Sequence, residues 1–183
     1  MSMKLLRYED LPIINGEKVR LRPITEADTA DIVRWRNDRA VQQFFIYREP
    51  FTEETHMNWL KNKVCPGHVI QYIIEDRASG TSVGSVYFRD IDPANDCAEY
   101  GIFIGEASAR DKGLGSETAR LFTAFGFDVL KMHRISLRLL GGNTAARRSY
   151  ENAGFVTEGV FSHMVKLDGV YTDVVFMAKI AEP

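Results

Sequence analysis

The feature that most constrains this chain is a short glycine loop, RDKGLG, at residues 110–115. An alternating apolar segment that includes Glu99 precedes this loop, and apolar residues at helical spacing follow it. Gly113 and Gly115 stand where a loop becomes a helix, so consecutive backbone N–H groups can point into one concavity at the positive end of the helix dipole. The sequence therefore predicts an anion site, for which a diphosphate is the best ligand. A plain loop that opens a helix is the alternative interpretation.

Two other phosphate-binding motifs do not fit the glycine loop. A Walker motif ends in Gly-Lys-Ser/Thr, and this loop has no lysine and hydroxyl at that position. A dinucleotide-binding fingerprint needs three glycines early in the chain, whereas this loop contains one pair.

The composition narrows the class of protein. The 183 residues, of which 45% are hydrophobic and 26% charged, are expected to form one domain over residues 1–183. A formal net charge of −2 argues against nucleic acid as a partner. The N-terminus has no signal-like apolar region and no segment is long enough to span a membrane, so we expect a cytoplasmic protein without a membrane partner. Cys65, Cys97 and the four histidines lack metal-ligand spacing, so neither a metal site nor a disulfide is expected.

The periodicity of apolar residues predicts an α/β fold. Alternation predicts strands at about 18–23, 69–75, 82–89, 97–104 and 134–140, with two more between 155 and 179. Helical spacing and capping residues predict helices at about 25–37, 52–63, 114–131 and 143–153. The strand of Glu99, a crossover helix and the strand of Ile135 should form a right-handed unit with a parallel strand pair. We therefore expect a mixed, mostly antiparallel sheet of about seven strands, flanked by about four helices.

The order of these motifs resembles the GCN5-related N-acetyltransferase (GNAT) family. Arg110, Gly113 and Gly115 match the family's loop pattern of Gln or Arg, two residues, Gly, one residue, and Gly or Ala. The segment NTAARRSYENAGF at 143–155 then follows the next strand, as in the family. The resemblance extends over about 18–180, and it is closest to the branch of ribosomal-protein N-terminal acetyltransferases and bacterial amino-sugar N-acetyltransferases.

The resemblance implies acetyl-CoA as the cosubstrate and no metal. Backbone amides would hold its pyrophosphate, from Arg110, Asp111, Lys112, Gly113, Leu114, Gly115 and Ser116. The pantetheine would lie in a splay between the strands of Glu99 and Ile135, opened by a bulge in the first of them. Backbone groups of Ile102, Phe103 and Ile104 would pair with it like an added strand. Asn143 would bond it from the other side, while a role as a helix cap is the alternative.

The chemistry of acetyl transfer requires two proton transfers. An amine must lose a proton before it attacks the thioester, and Glu99 or a chain of water molecules would accept that proton. The alternative for Glu99 is a solvated surface carboxylate. The departing thiolate needs a proton, and the resemblance implies that Tyr150 supplies it; the alternative is a core tyrosine whose hydroxyl is bonded to the backbone.

The acceptor amine is the least constrained part of this interpretation. In the family it is shaped by segments that correspond here to residues 38–51 and 162–172. Four residues resemble the amino-sugar N-acetyltransferases and are the candidate substrate-binding residues: Trp35, Arg36, Asn37 and Phe44. The aromatic residues between 44 and 51 either line a pocket or close one end of the core. Arginines at 36, 39 and 48 would face a nucleotide diphosphate or be solvated.

A small amine such as an amino sugar is therefore the first expectation for the acceptor. A peptide N-terminus is the second and a polyamine the third. A non-catalytic acyl-CoA-binding module is the alternative from another class, although the presence of Tyr150 argues against it. The sheet edge would also allow two copies to pair as a homodimer.

Overall fold

A computed structural model describes residues 2–181 as one eight-stranded sheet with helices on both faces. The strands are β1 (Ile14–Asn15), β2 (Val19–Pro23), β3 (Ile70–Asp76), β4 (Thr81–Asp92), β5 (Cys97–Ile104), β6 (Arg134–Leu140), β7 (Val156–Leu167) and β8 (Val170–Ile180). Their order in the sheet is β1-β2-β3-β4-β5-β6-β8-β7. Only β5 and β6 are parallel among the paired strands of this range. The predicted α/β class is confirmed, and the two-residue β1 brings the sheet to eight strands.

The helices begin close to the predicted residues. They are α1 (Thr29–Asn37), α2 (Arg39–Gln42), α3 (Glu53–Trp59), α4 (Leu114–Ala124) and α5 (Thr144–Asn152). A 3-10 turn precedes α1, and its capping box joins Thr25 and Asp28 as the sequence predicted. Helices α3 and α4 continue as π-helical turns, Leu60–Val64 and Phe125–Val129, which extends both towards their predicted ends. Among the described residues, no helix is long and apolar enough to cross a membrane.

Two hydrophobic clusters cover the two faces of the sheet. On one face Phe122 of α4 stacks on Phe88 of β4 at 4.3 Å between ring centroids. On the other face Trp35 of α1 packs edge-on against Phe103 of β5 at 6.3 Å. Successive side chains along a strand point to opposite faces of the sheet. The residues next to Phe88 in β4 and next to Phe103 in β5 therefore face the opposite layer. The sheet therefore separates a layer of α4 and α5 from a layer of α1 and α3.

Strands β5 and β6 diverge after a short paired segment, as the splay in the prediction requires. Their parallel register is limited to Cys97–Arg134, Ala98–Ile135 and Glu99–Ser136. Beyond it, β5 stays paired with β4 as far as Ile104, and β6 stays paired with β8 as far as Leu140. Each strand follows its outer neighbour, which leaves a gap between the two inner edges.

The predicted bulge does not fall within the paired part of β5. Just beyond it, the N–H groups of Gly105 and Glu106 both donate to the carbonyl of Val83. The β4–β5 register is unbroken from Gly84–Ile104 to Arg89–Glu99, and the shift falls between Arg89 and Asp92 of β4. Asp90 has a positive φ of 49° there, so the extra residue is accommodated in β4. The paired part of β5 is therefore regular, and the gap arises from divergence of the two strands.

Strand β7 forms one edge of the sheet and carries exposed apolar side chains. Val156, Val160, Phe161 and Met164 are each about half or more exposed. This is the edge on which pairing of two copies would depend, and a homodimer stays a prediction.

Candidate active site

The glycine loop leads into α4 and leaves the first N–H groups of that helix free. Gly113 has φ +79°, a conformation that favours glycine, and Asp111 also has a positive φ. The N–H of Glu117 is bonded to the carbonyl of Gly113, so the preceding amides of α4 lie before the first helical bond. The loop and the first turn of α4 therefore form the concave row of donors that the sequence predicted.

Gly115 faces open space in front of this row. A Cβ added there would meet only Ile104 of β5, at 3.9 Å. Packing within the protein therefore does not require a glycine at this position. A ligand that approaches the backbone closely would require one, which fits a diphosphate at the start of α4.

Side chains around the glycine loop fix its shape. Arg110 donates to the carbonyl of Gly105 at 3.2 Å, and Lys18 Nζ donates to the carbonyl of Lys112 at 3.3 Å. The hydroxyls of Ser116 and Ser149 lie 2.8 Å apart and join α4 to α5. An anion can therefore contact the backbone amides of the loop. Arg110 supports the loop by its hydrogen bond to the backbone of Gly105.

The gap between β5 and β6 exposes backbone groups of both strands. Gly105 donates to the carbonyl of Val83, so in the antiparallel β4–β5 pair the odd-numbered residues of β5 bond towards β4. The backbone groups of Ile102 and Ile104 consequently face the gap, whereas those of Phe103 face β4. The predicted pairing of pantetheine with Phe103 is therefore wrong, and Phe103 instead contributes its buried ring to the core.

Asn143 caps α5 at the far end of the gap. Its Oδ1 accepts a hydrogen bond from the N–H of Ala146 at 3.2 Å, which establishes the role as a cap. Its side-chain NH2 group has no partner within residues 2–181. A contact of this group with pantetheine remains compatible with the cap.

Tyr150 of α5 lies against Tyr100 of β5 and Phe155. Its ring packs edge-on against both, at 6.0 and 5.9 Å between centroids. The side chain is half-buried, and no hydrogen bond of its hydroxyl is found within residues 2–181, which argues against a backbone-bonded core tyrosine. Burial raises the pKa of Tyr150, and Tyr87 adds to the shift, so the phenol keeps its proton at neutral pH. Tyr150 is thus available as a proton donor.

Tyr87 of β4 is a site residue that the sequence did not predict. It pairs with Gly101 of β5, and a Cβ at residue 101 would lie 2.3 Å from Tyr87 Cζ. The ring therefore lies over the glycine and towards the gap. Tyr87 also influences the pKa of Tyr150, Arg36 and Arg89, so its hydroxyl lies among them. The sequence contained one signal for Tyr87, a tyrosine on the polar face of a predicted strand. Its position opposite a glycine depends on the strand register.

Glu99 of β5 is held between two guanidinium groups. Arg89 of β4 donates to its Oε1, and Arg138 of β6 donates to Oε2 at 2.9 Å and to Oε1 at 3.2 Å. The side chain of Glu99 is only 16% exposed. Its oxygen atoms are therefore occupied by N–H donors, and the geometry argues against the predicted role as a base. Glu99 instead holds Arg89 and Arg138 in position.

The predicted substrate-binding residues of α1 have different environments. Trp35 is 1% exposed and donates to Glu106 at 2.9 Å, so it belongs to the core and the prediction for it is wrong. Asn37 bonds twice to the backbone of Phe51 and fixes the end of the following loop. Arg36 lies on the side of α1 that faces Tyr87.

The aromatic segment between residues 44 and 51 contains both packed and exposed rings. Phe45 packs against the core at Phe103, and Phe51 packs against His56, whereas Phe44 and Tyr47 are exposed. Phe45 and Phe51 therefore help to close one end of the core, and a pocket lined by Phe44 and Tyr47 stays a prediction.

The two segments expected to shape the acceptor site are in contact. Arg48 Nη1 lies 2.7 Å from Asp168 Oδ2 in the turn between β7 and β8. Arg39 and Arg48 line a cleft beside this ion pair. Among residues 2–181, no group of three or more His, Cys, Asp or Glu is arranged to hold a metal ion.

Comparisons with known proteins agree with this geometry. A family model described as an acetyltransferase (GNAT) domain matches residues 18–156. Spermidine N(1)-acetyltransferase of Escherichia coli K12 is 25% identical over 164 residues, which cover 89% of this chain and 86% of that protein. A putative ribosomal N-acetyltransferase of Bacillus subtilis is 21% identical over 169 residues, covering 88% and 90%.

A solved structure has the same fold. Spermidine N-acetyltransferase from Vibrio cholerae, in complex with CoA and spermine, superimposes with a TM-score of 0.83 at 23% identity. The match covers 90% of this chain and 96% of that one.

Proposed function

This chain belongs to the GNAT family of acetyltransferases, and we propose on that premise that it transfers the acetyl group of acetyl-CoA directly to a small primary amine. The observation that carries this proposal is the position of Tyr150, packed on Tyr100 of β5 beside a gap between the diverging strands β5 and β6. A proton donor is needed where the thiolate leaves, and this gap is the place that a pantetheine would occupy.

The donor is bound mainly through backbone atoms in this proposal. The first amides of α4 receive the diphosphate, and the open space at Gly115 accommodates its close approach. The pantetheine amides pair with the edge of β5 at Ile102 and Ile104, as an added strand would. The NH2 group of Asn143 lies free for a contact from the α5 side.

Transfer proceeds by direct attack, without a covalent enzyme intermediate. The amine, once neutral, forms a bond to the thioester carbonyl carbon, and a backbone N–H of the gap stabilises the developing oxyanion. The C–S bond then breaks, and Tyr150 gives its proton to the sulfur. The second proton of the attacking nitrogen is released as the amide forms, and through water it restores the phenol of Tyr150. The proton of the incoming ammonium leaves through water, because the carboxylate of Glu99 is already occupied by Arg89 and Arg138.

Three acceptor classes compete within this proposal. Polyamines are candidates because a spermidine acetyltransferase is similar to this chain. A peptide N-terminus is a candidate because a putative ribosomal N-acetyltransferase is also similar. Amino sugars are candidates because residues 35–37 resemble those of the amino-sugar N-acetyltransferases. The burial of Trp35 weakens that argument. Among residues 35–37, Arg36 still faces Tyr87, on the side where we place the acceptor.

The test is a CoA-release assay with acetyl-CoA and a panel of acceptors, repeated with Tyr150→Phe. The panel contains spermidine, amino sugars and their nucleotide conjugates, and peptides with varied N-termini. We expect at least one class to release CoA, with the acetylated product identified by mass spectrometry. Tyr150→Phe should lower kcat about 100-fold, because general acid catalysis contributes on the order of 10²–10⁴, while acetyl-CoA affinity is unchanged.

Two outcomes would contradict the proposal. Unchanged turnover in Tyr150→Phe would remove Tyr150 from the mechanism. Binding of acetyl-CoA with no turnover of any acceptor would favour the non-catalytic module instead.

A further inference from the structure

We propose that the acceptor amine carries an oxyanion, a carboxylate or a phosphate, and that Arg36 binds this group together with Arg89 and Arg138. The inference rests on the proposed function, since it names the class of acceptor for the same site. It is carried by the arrangement of guanidinium groups on the face of the sheet that Tyr87 occupies.

Arg36 is a half-buried cation without an anionic partner. Its guanidinium lies over the rings of Phe45 and Phe51, at 4.9 and 4.5 Å from their centroids. Its Nε is buried and has no hydrogen-bond partner. Within residues 2–181, no carboxylate is among the groups that shift its pKa. An unpaired cation away from water is costly, and the two rings hold it in a fixed orientation. Such a group is suited to receive an anion from outside the chain.

The pKa of Arg36 reflects the same surroundings. Burial lowers this pKa, Tyr87 raises it, and the charge of Arg89 lowers it. Arg36 of α1 and Arg89 of β4 are therefore close enough for their charges to interact. The packing agrees, because the two rings under Arg36 and the ring of Tyr87 lie against the same hydrophobic cluster. Arg89 follows Tyr87 by two residues in β4 and therefore points to the same face of the sheet.

Arg89 and Arg138 add to the excess of positive charge. The two side chains, 25% and 20% exposed, share the single carboxylate of Glu99. Each uses Nε and Nη2 for that contact. The Nη1 donors of Arg89 are left for another partner, whereas the side chain of Arg138 also interacts with the hydroxyl of Tyr47. Burial lowers the pKa of Arg138, and its contacts with Glu99 and Tyr47 raise it. Asp90 lies 3.7 Å from Arg89, beyond hydrogen-bond distance, and is 72% exposed. Two guanidinium groups therefore share one enclosed carboxylate, and Arg36, whose charge interacts with that of Arg89, has no carboxylate of its own.

This charge distribution discriminates between the acceptor classes. A polyamine would bring further positive charges to a site that already has an excess, where partial burial strengthens the repulsion. An amine with a carboxylate or phosphate would neutralise the excess and allow bidentate guanidinium contacts. Tyr87 is close enough to influence both Arg36 and Tyr150, so an acceptor anchored at the arginines would contact Tyr87 on its way to the reacting centre.

The experiment compares matched amines that differ only in the anion. One pair is an α-amino acid and its amide, a second is an amino sugar and its phosphate ester, and spermidine is the polycationic reference. We expect kcat/KM to favour the anionic member of at least one pair about tenfold or more over its neutral counterpart and over spermidine. The first pair detects carboxylate recognition and the second detects phosphate recognition.

Variants assign this preference to the arginines. Arg36→Gln should reduce the preference about tenfold, mainly by raising KM for the anionic member, and Arg36→Lys should restore part of it because the charge is kept without the fork. Arg7→Gln, which changes an exposed arginine far from the site, should keep the full preference. Acetyl-CoA binding by calorimetry verifies that each variant is folded.

The outcomes separate this inference from the proposed function. If no amine releases CoA, the proposed function fails. If amines are acetylated but spermidine is preferred, or if Arg36→Gln and Arg36→Lys both keep the wild-type preference, the inference is overturned while the function stands.

Discussion

In the proposed site, the donor side and the acceptor side are built from different kinds of atoms. The donor side uses backbone groups of consecutive residues, in the glycine loop at 110–115 and along the edge of β5. The acceptor side uses side chains that are distant in sequence, with Arg36 on α1, Tyr87 on β4 and Arg138 on β6. A backbone site requires a local sequence pattern, whereas a side-chain site requires that strands and helices meet in the correct register. One half of an active site can therefore be read in a short motif while the other half cannot.

The largest effect on stability is expected for Trp35→Ala, which tests whether Trp35 belongs to the core or to the acceptor side. Trp35→Ala removes a ring that is 1% exposed and should lower the free energy of unfolding by about 3–5 kcal/mol. Urea denaturation measures this loss. Phe44→Ala, at a 50% exposed side chain, is the matched control and should change the free energy of unfolding by less than about 0.5 kcal/mol. Normal stability in Trp35→Ala, with a higher KM for the acceptor, would return Trp35 to substrate recognition.

Glu99→Gln tests whether the acceptor side contains a base or only a positioned charge. The neutral amide can no longer hold Arg89 and Arg138 together, so the free energy of unfolding should fall by about 1–3 kcal/mol. The acid limb of the profile of kcat/KM against pH should keep its position, because Glu99 does not accept the substrate proton. Loss of that limb in Glu99→Gln would identify Glu99 as the base after all.

Gly115→Ala tests the donor side, and its two effects should have opposite signs. The added methyl group meets only Ile104 at 3.9 Å in the free protein, so the helix should gain about 0.5–1 kcal/mol in stability. The same methyl group occupies the space proposed for the diphosphate, and acetyl-CoA affinity should fall about tenfold. Thermal unfolding and calorimetry measure the two quantities. A variant that is both more stable and equally tight in binding would show that the anion site is elsewhere.

Much of the fold was predictable because local rules decide it. The bounds of β6, the capping box at Thr25 and Asp28, and the parallel neighbours β5 and β6 all follow from periodicity, capping and the handedness of crossover connections. The shape of the glycine loop was predictable for the same reason. Gly113 adopts the positive φ that its position at the start of α4 suggested. These features depend on residues that are near each other in sequence.

The errors have a common physical origin in tertiary packing. Glu99 was expected to be a base because nothing in the sequence reveals that Arg89 and Arg138 flank it across two strand registers. Trp35 was grouped with its neighbours Arg36 and Asn37, although a helix turns each successive residue to a different face. The bulge was expected in the paired part of β5, but the register shift between β4 and β5 lies at Asp90 in β4. Each error required knowledge of which elements lie side by side.

The contact between Tyr87 and Gly101 has a consequence for how sequences related to this one can diverge. Because a Cβ at residue 101 would lie 2.3 Å from the tyrosine ring, no larger residue can be accepted there while the ring keeps its place. A larger residue at 101 therefore requires a smaller residue at 87. Such a paired exchange would remove the phenol from the site proposed for the acceptor, so it is a route by which substrate preference would change.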